Sequence, residues 1–237
     1  MKISKNEQVK IKAKILKIAV KLIGEYGYKK TSMSKIAKEA KIGEATIYNY
    51  FSTKEHILYA YHLDIQLKTK QMLIENDEFN EFSLKDQLQY LLETNLDLLK
   101  KDRSFMLEIY EEIFYKSFNH PSLEKGNDEL KLIASELIDI AVEADEIEPM
   151  PFSNTILNLF VNYYFGILYY WINDDSEDFE NTTILIDKSL SVVYVLLQSG
   201  LISKLEDMVS FLIKTHFLNK IKPTKIFKKK MSFGNKK

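Results

Sequence analysis

From Val9 to about residue 218, apolar side chains return every third or fourth position with few interruptions, a period that admits helices and little else. The first such run, Val9 to Tyr26, places Ile11, Ile15, Ile18, Ala19, Leu22, Ile23 and Tyr26 along one side. Further helices are predicted near 54–75, 83–101, 103–118, 121–146, 152–173, 178–198 and 201–218. They are separated by the turn-like segments NDEFNEF, NHPS, EPMP, NDDSED and SG. No stretch alternates apolar and polar residues between hairpin signals, and no repeat period is visible. With 7 Gly and 4 Pro in 237 residues and a 46% hydrophobic content, the chain can bury a sizeable core. An all-α fold is expected.

Charge divides the chain into three. Residues 1–56 hold 13 Lys against 5 Glu, net +8; residues 57–217 hold 12 Lys or Arg against 29 Asp or Glu, net −17; residues 218–237 hold 8 Lys and no acid. A basic head on an acidic body suggests that the head meets a polyanion and the body avoids it. The expected domains are a basic head at 1–56, a larger helical body at 57–218, and a flexible basic tail at 219–237. No cysteine is present, which excludes disulfides, thiolate metal sites and cysteine nucleophiles. The N-terminus has no secretory h-region or cleavage site, so a cytoplasmic protein is expected.

The stretch KIGEATIYNYFSTKE, Lys41 to Glu55, is the most informative. Gly27 is placed to stop the first helix, Ser32 to cap a second, Gly43 a third, and Ser52 or Thr53 a fourth. On a wheel with Ile47 at zero, Phe51 falls at about 40°, while Ala45 and Asn49 land near 160° and 200°. Tyr48 and Thr46 flank that ridge. Ile42 and Ile47 are spaced as a hydrophobic staple. A narrow ridge of small residues bordered by phenols suits the major groove: Ala45 and the Thr46 methyl can meet thymine methyls, and Asn49 can bond an adenine edge. The tyrosine hydroxyls and Lys54 can hold phosphates, and the start of the second helix, with the Ser32 or Ser34 hydroxyl, offers another phosphate clamp. The arrangement is a helix-turn-helix. Arg103 is the sole arginine, so the head lacks the bidentate guanine contact, and an operator leaning to A·T is expected.

The segment AVKLIGEYGYKKTSMSKIAKEAKIGEATIYNYFSTKEHIL resembles the DNA-binding head of the tetracycline-repressor (TetR) family of bacterial regulators. The matching points include Ala19, Leu22, Gly27, Tyr28, Thr31, Ser32, Ile36, Ala37, Ala40, Ile42, Thr46, Tyr48, Tyr50, Phe51, Lys54 and Glu55. The resemblance covers roughly residues 10–60 and implies a three-helix head before a helical ligand-binding and dimerisation body. It implies DNA contacts at Thr46, Tyr48, Asn49, Tyr50 and Lys54. Gly43, Glu44 and Ala45 depart from the residues common in the family. Glu44 either interacts with the helix N-terminus, meets a cytosine amine or points away from DNA.

In the body, FSNTILNLFVNYYFGILYYWIN is apolar almost all round but interrupted by Asn158 and Asn162, which favours a buried helix over a membrane span. Asn154, Asn158, Asn162 and Gly166 form a small polar stripe: a solvent edge, a close helix crossing at Gly166, or the lining of a pocket. The helices near 152–173 and 178–198 can pair with their two-fold mates into a four-helix bundle, so a homodimer is expected, with a palindromic operator. The family resemblance implies the same. Phe105, Tyr110, Phe114, Phe160, Tyr163 and Tyr164 are the candidate lining of a site for an apolar or aromatic small-molecule effector. Single aromatics at this spacing are more often core.

His56, His62, His120 and His216 have no metal-ligand spacing, the adjacent Glu111 and Glu112 point apart, and no phosphate loop or nucleophile-base order is found. Neither cofactor nor enzymatic activity is expected. The expected function is that of a ligand-responsive, site-specific repressor released from double-stranded operator DNA, with no membrane partner. The alternatives are a DNA-bound adaptor and a sequence-tolerant DNA coater.

Overall fold

The computed structural model describes residues 4–110, 124–149 and 153–212. Phe114, the Glu111–Glu112 pair, His120, His216 and the 219–237 tail lie outside them. The described elements are α1 (Lys5–Tyr26), α2 (Met33–Glu39), α3 (Glu44–Tyr48), α4 (Lys54–Ile74), α5 (Leu84–Lys100), α6 (Arg103–Ile109), α7 (Glu124–Glu143), α8 (Ser153–Ile172), α9 (Glu180–Gln198) and α10 (Leu201–Leu212), with short 3₁₀ turns at Phe79–Glu81 and Glu177–Phe179. No strand occurs among the described residues, and the all-α expectation holds.

Helix α1 starts at Lys5, four residues before the apolar period does. The reason is a capping box: the Ser4 hydroxyl accepts the Glu7 N–H at 3.2 Å, and the Glu7 carboxylate accepts the Ser4 N–H at 3.0 Å. Its exposed first turns carry no apolar signal, so periodicity alone misses them. Gly27 ends α1 at φ 87°, a conformation that glycine adopts cheaply.

Two hydrophobic cores form. The head core joins Ile15, Ala19 and Leu22 of α1 to Met33, Ile36 and Ala37 of α2, Ile47 of α3, and Phe51 and Ile57. Ile15, Ile36 and Ile47 are fully buried, each contributing roughly 1.5–3 kcal/mol, and together they hold three helices at one angle. The body core runs from Leu58 of α4 through α5 and α6 to α9. Thus α4 enters both cores within its first turn, with Ile57 in one and Leu58 in the other. Helix α6 joins them a second time. Gly24 of α1 lies so close to it that a Cβ there would sit 3.3 Å from the Phe105 nitrogen, and Glu108 accepts the Tyr28 N–H at 3.3 Å.

A polar island lies inside the body. The Asn95 amide donates to Gln66 Oε1 at 3.0 Å and to Thr69 Oγ1 at 2.9 Å, and the Tyr164 hydroxyl donates to Asn95 Oδ1 at 2.7 Å. All four residues are buried, so satisfied bonds here fix how α4, α5 and α8 register. Beside it, His62 stacks near Tyr164 and contacts Asn127 Oδ1 at 3.0 Å.

Candidate nucleic-acid interface

Helix α3 is short and held from its ends. Gly43 is its N-cap in extended conformation, and the Phe51 N–H closes the last turn onto the Ile47 carbonyl at 2.9 Å. Ile47 and Phe51 are buried, and Ile42 packs half-buried on the same core, as the staple requires. The opposite side is open: Ala45 and Asn49 are exposed, Tyr48 is 49% exposed, and Thr46 is half-buried beside them. Tyr50 faces the head core and is only partly accessible. Glu44 is exposed in the first turn, where its charge is favourable to the helix N-terminus.

The approach to α2 is built from buried polar bonds. The Thr31 hydroxyl is fully buried and lies 3.1 Å from the Leu22 carbonyl and 3.0 Å from that of Gly27. Ser32 caps α2, its Oγ accepting the Lys35 N–H at 3.1 Å, while Ser34 is exposed. Lys54, expected to hold a phosphate, makes contacts within the head in the DNA-free chain. Its ammonium turns inward, donating to the Tyr28 carbonyl and to the Thr31 carbonyl at 2.7 Å, and it lies 3.8 Å from the centre of the Tyr28 ring. Those acceptors occupy it as an internal clamp between α4 and the α1–α2 turn. Glu55 completes the clamp by accepting the Tyr28 hydroxyl at 2.5 Å. Burial raises its carboxyl pKa, but that bond and its neighbours outweigh burial and hold it below the usual range.

The aromatic candidates in the body lie in packed positions. Phe105 is buried with its ring edge-on to Tyr61, centroids 4.9 Å apart, and is a joint between head and body. Tyr110 donates to the Phe165 carbonyl at 3.2 Å, and Tyr163 shares a 2.6 Å bond with Ser189. Phe160 is half-buried beside Tyr163, and Tyr164 belongs to the polar island. An open cavity of about 520 Å³ lies instead at the end of α8, lined by Tyr169, Tyr170, Asn173, Asp174, Asp175, Ser176 and Asn181. None of the five candidates among the described residues lines it. Sequence reasoning passed over Gln66, Thr69 and Asn95. Yet His62, Gln66, Thr69 and Leu73 follow helical spacing on one face of α4, and polar residues on an apolar face were the available signal.

Helices α8 and α9 leave an apolar surface uncovered. Leu159, Tyr169 and Tyr170 are exposed on one, and Ile184, Val192, Val195 and Leu196 on the other. Asn154, Asn158, Asn162 and Gly166 are exposed along α8, and a Cβ at Gly166 would meet nothing within 4 Å, so no pocket forms on that stripe within one chain. Among the described residues no helix is long and apolar enough to cross a membrane.

Comparison with known proteins extends these observations over most of the chain. The family model described as "Bacterial regulatory proteins, tetR family" matches residues 15–61, and that described as "Tetracyclin repressor-like, C-terminal domain" matches residues 87–212. A helix-turn-helix-type transcriptional regulator of Staphylococcus aureus is 27% identical over 172 residues, covering 63% of this chain and 91% of the relative. A TetR-family regulator of Syntrophomonas wolfei superposes with a TM-score of 0.65 at 22% identity, covering 79% of this chain and 96% of the neighbour. The regulator FadR of Bacillus subtilis, solved in complex with stearoyl-CoA, superposes with a TM-score of 0.56 at 21% identity, covering 75% and 96%.

Proposed function

The chain belongs to the TetR family of DNA-binding transcriptional regulators, and from that premise we propose that it is a dimeric repressor, released from a palindromic operator when a small molecule binds its helical body. The observation that carries the reading is the open ridge of α3, Ala45, Thr46, Tyr48 and Asn49, on a head with 13 Lys and no Arg. Two such ridges related by a two-fold axis read two half-sites in successive major grooves. Asn49 reads a base edge, Thr46 and Ala45 meet thymine methyls, and Tyr48 and the Ser32 and Ser34 hydroxyls hold the backbone. Tyr50 supports α3 from the core side, and Lys54 positions the head from within.

The uncovered faces of α8 and α9 form the dimer interface, and Gly166 lets the partner helix approach closely. The effector acts by population shift. Because α4 is part of both cores and α6 touches α1, any rearrangement of the body moves the head. Coupling of about 1–3 kcal/mol lowers operator affinity roughly 5–150-fold, enough for regulation. The effector is apolar or aromatic. With 29 acids against 12 bases over residues 57–217, the body repels the phosphates of a CoA ester, so a ligand without them fits better than the one in the Bacillus subtilis neighbour.

The test is binding to labelled DNA from upstream of the protein's own gene, against scrambled DNA, at two salt concentrations. Preference that survives the higher salt supports a site-specific repressor. Equal binding that collapses with salt refutes it in favour of a DNA coater. One observation favours the adaptor as a second reading: α10 exposes Leu201, Leu205 and Met208, an apolar face for a protein partner. An adaptor would bind its site without release by any small molecule.

A further inference from the structure

Helix α1 reaches well past the head that it belongs to. It begins at Lys5, but its first fully buried residue is Ile15, and every residue from Ser4 to Lys10 is exposed. At 1.5 Å per residue, the lead from Lys5 to Ile15 is about 15 Å long. Only Ile11, half-buried, touches the head core on the way. The capping box at Ser4 and Glu7 makes this lead a firm helix.

The composition of the lead is directional. Stepping back from Ile15 by helical spacing, the core-facing stripe passes through Ile11 and Gln8, while Lys12 and Lys5 share one face about 60–80° to its side. The stripe is aliphatic where α2 and α3 cover it and ends in the exposed Gln8 where it overhangs, with the Lys12 and Lys5 face beside it. Had further protein covered it, apolar residues would continue there. The Lys12 ammonium lies 5.6 Å from the centre of the Phe51 ring, and Phe51 closes the turn that ends α3. The overhang therefore runs beside the C-terminal end of the helix whose ridge is open. From Lys5 to Lys21 the helix carries six lysines and one acid, Glu7, which the cap engages.

We propose that the overhang of α1 is a second DNA contact, in which Lys5 and Lys12 hold backbone phosphates flanking the groove that α3 occupies. The proposal rests on the reading of α3 as the groove-binding helix. The two lysines are two helical turns apart, about 10 Å along the axis, so they reach different phosphates. Lysine is a point charge without a fork to read base edges, so the contact adds affinity and length of footprint but no base preference.

The test compares the full chain with two double variants, Lys5→Gln with Lys12→Gln, and Lys17→Gln with Lys21→Gln. Lys17 and Lys21 are exposed on the opposite side of α1 and serve as the charge-matched control. Each protein is titrated with a duplex from upstream of its own gene and with a scrambled duplex, over a range of salt. The Lys5/Lys12 variant is expected to lower the slope of log K against log salt by about 2, close to 0.9 per phosphate, on both duplexes. Its hydroxyl-radical footprint should shorten at the outer edges, with base preference unchanged, while the control keeps the wild-type slope. Equal loss in both variants would show diffuse attraction and overturn the proposal, as would an unchanged slope in a Lys5/Lys12 variant that still binds. A wild-type protein that binds neither duplex would overturn the DNA-binding reading itself, and this inference with it.

Discussion

Replacing Lys54 by Met tests whether this side chain holds the head together or holds DNA. The substitution keeps the length of the stem and removes the ammonium, stranding the Tyr28 and Thr31 carbonyls in a half-buried turn. Hydrogen bonds to a charged donor contribute about 1.5–3 kcal/mol, and the low end applies at a half-exposed site. Loss of the cation over the Tyr28 ring adds about 0.5 kcal/mol. Part of this is offset, since Met is less costly to bury and order than Lys. A net loss of about 2 kcal/mol is expected, roughly a 30-fold fall in the folded-to-unfolded ratio of the head. Urea unfolding followed by far-UV circular dichroism reads this as a lower midpoint, and amide exchange in α2 localises it. The salt slope of DNA binding should stay at the wild-type value. An unchanged midpoint with a slope lowered by about 1 would mean that Lys54 contacts a phosphate, refuting the clamp.

Four further outcomes are expected. The ring of His62 is buried, and burial, partly opposed by the Asn127 contact, lowers its pKa from 6.5 to about 4. The unfolded chain takes up that proton below 6.5 and the folded one only near 4, so stability falls as pH drops across that window and levels off below it. The contribution is about 3 kcal/mol, and a His62→Phe variant should lose this part of the pH dependence of its urea midpoint. A Cβ at Gly126 would overlap the His62 imidazole, so Gly126→Ala should destabilise by about 1–3 kcal/mol, with a His62→Ala background recovering part of the loss in a double-mutant cycle; additive effects would rule out the contact. Val192→Asp with Val195→Asp, on residues 63% and 62% exposed, should yield a monomer in sedimentation with unchanged helicity, whereas an intact dimer would move the interface elsewhere. Asn49→Ala should relax preference at one base position, whereas Tyr48→Phe should weaken all sites alike; the reverse pattern would invalidate the contact assignment on α3.

Much of the head was legible because its signals are local. The spacing from Ile47 to Phe51 buries one edge of α3 and opens the other whatever the body does, and Gly43, Ser32 and Thr53 cap where their chemistry allows. The capping box at Ser4 is equally local but lies outside the apolar period that begins at Val9. The body was less legible. A tyrosine such as Tyr164 has the same helical spacing whether it lines a pocket or, as here, bonds Asn95 in the interior.

By itself, then, the sequence determined the all-helical class, the helix-turn-helix, the separation of a basic head from an acidic body and the family, since period, caps and charge belong to neighbouring residues. Only the tertiary structure decided that Lys54 clamps Tyr28 and Thr31, and that Glu108 of α6 reaches the Tyr28 N–H. It alone brought Gly126 against His62 and joined Gln66, Thr69, Asn95 and Tyr164 in one buried island. Each of these unites residues more than twenty positions apart. Their partners depend on how whole helices pack, and that packing is chosen by the sum of many apolar contacts rather than by any motif.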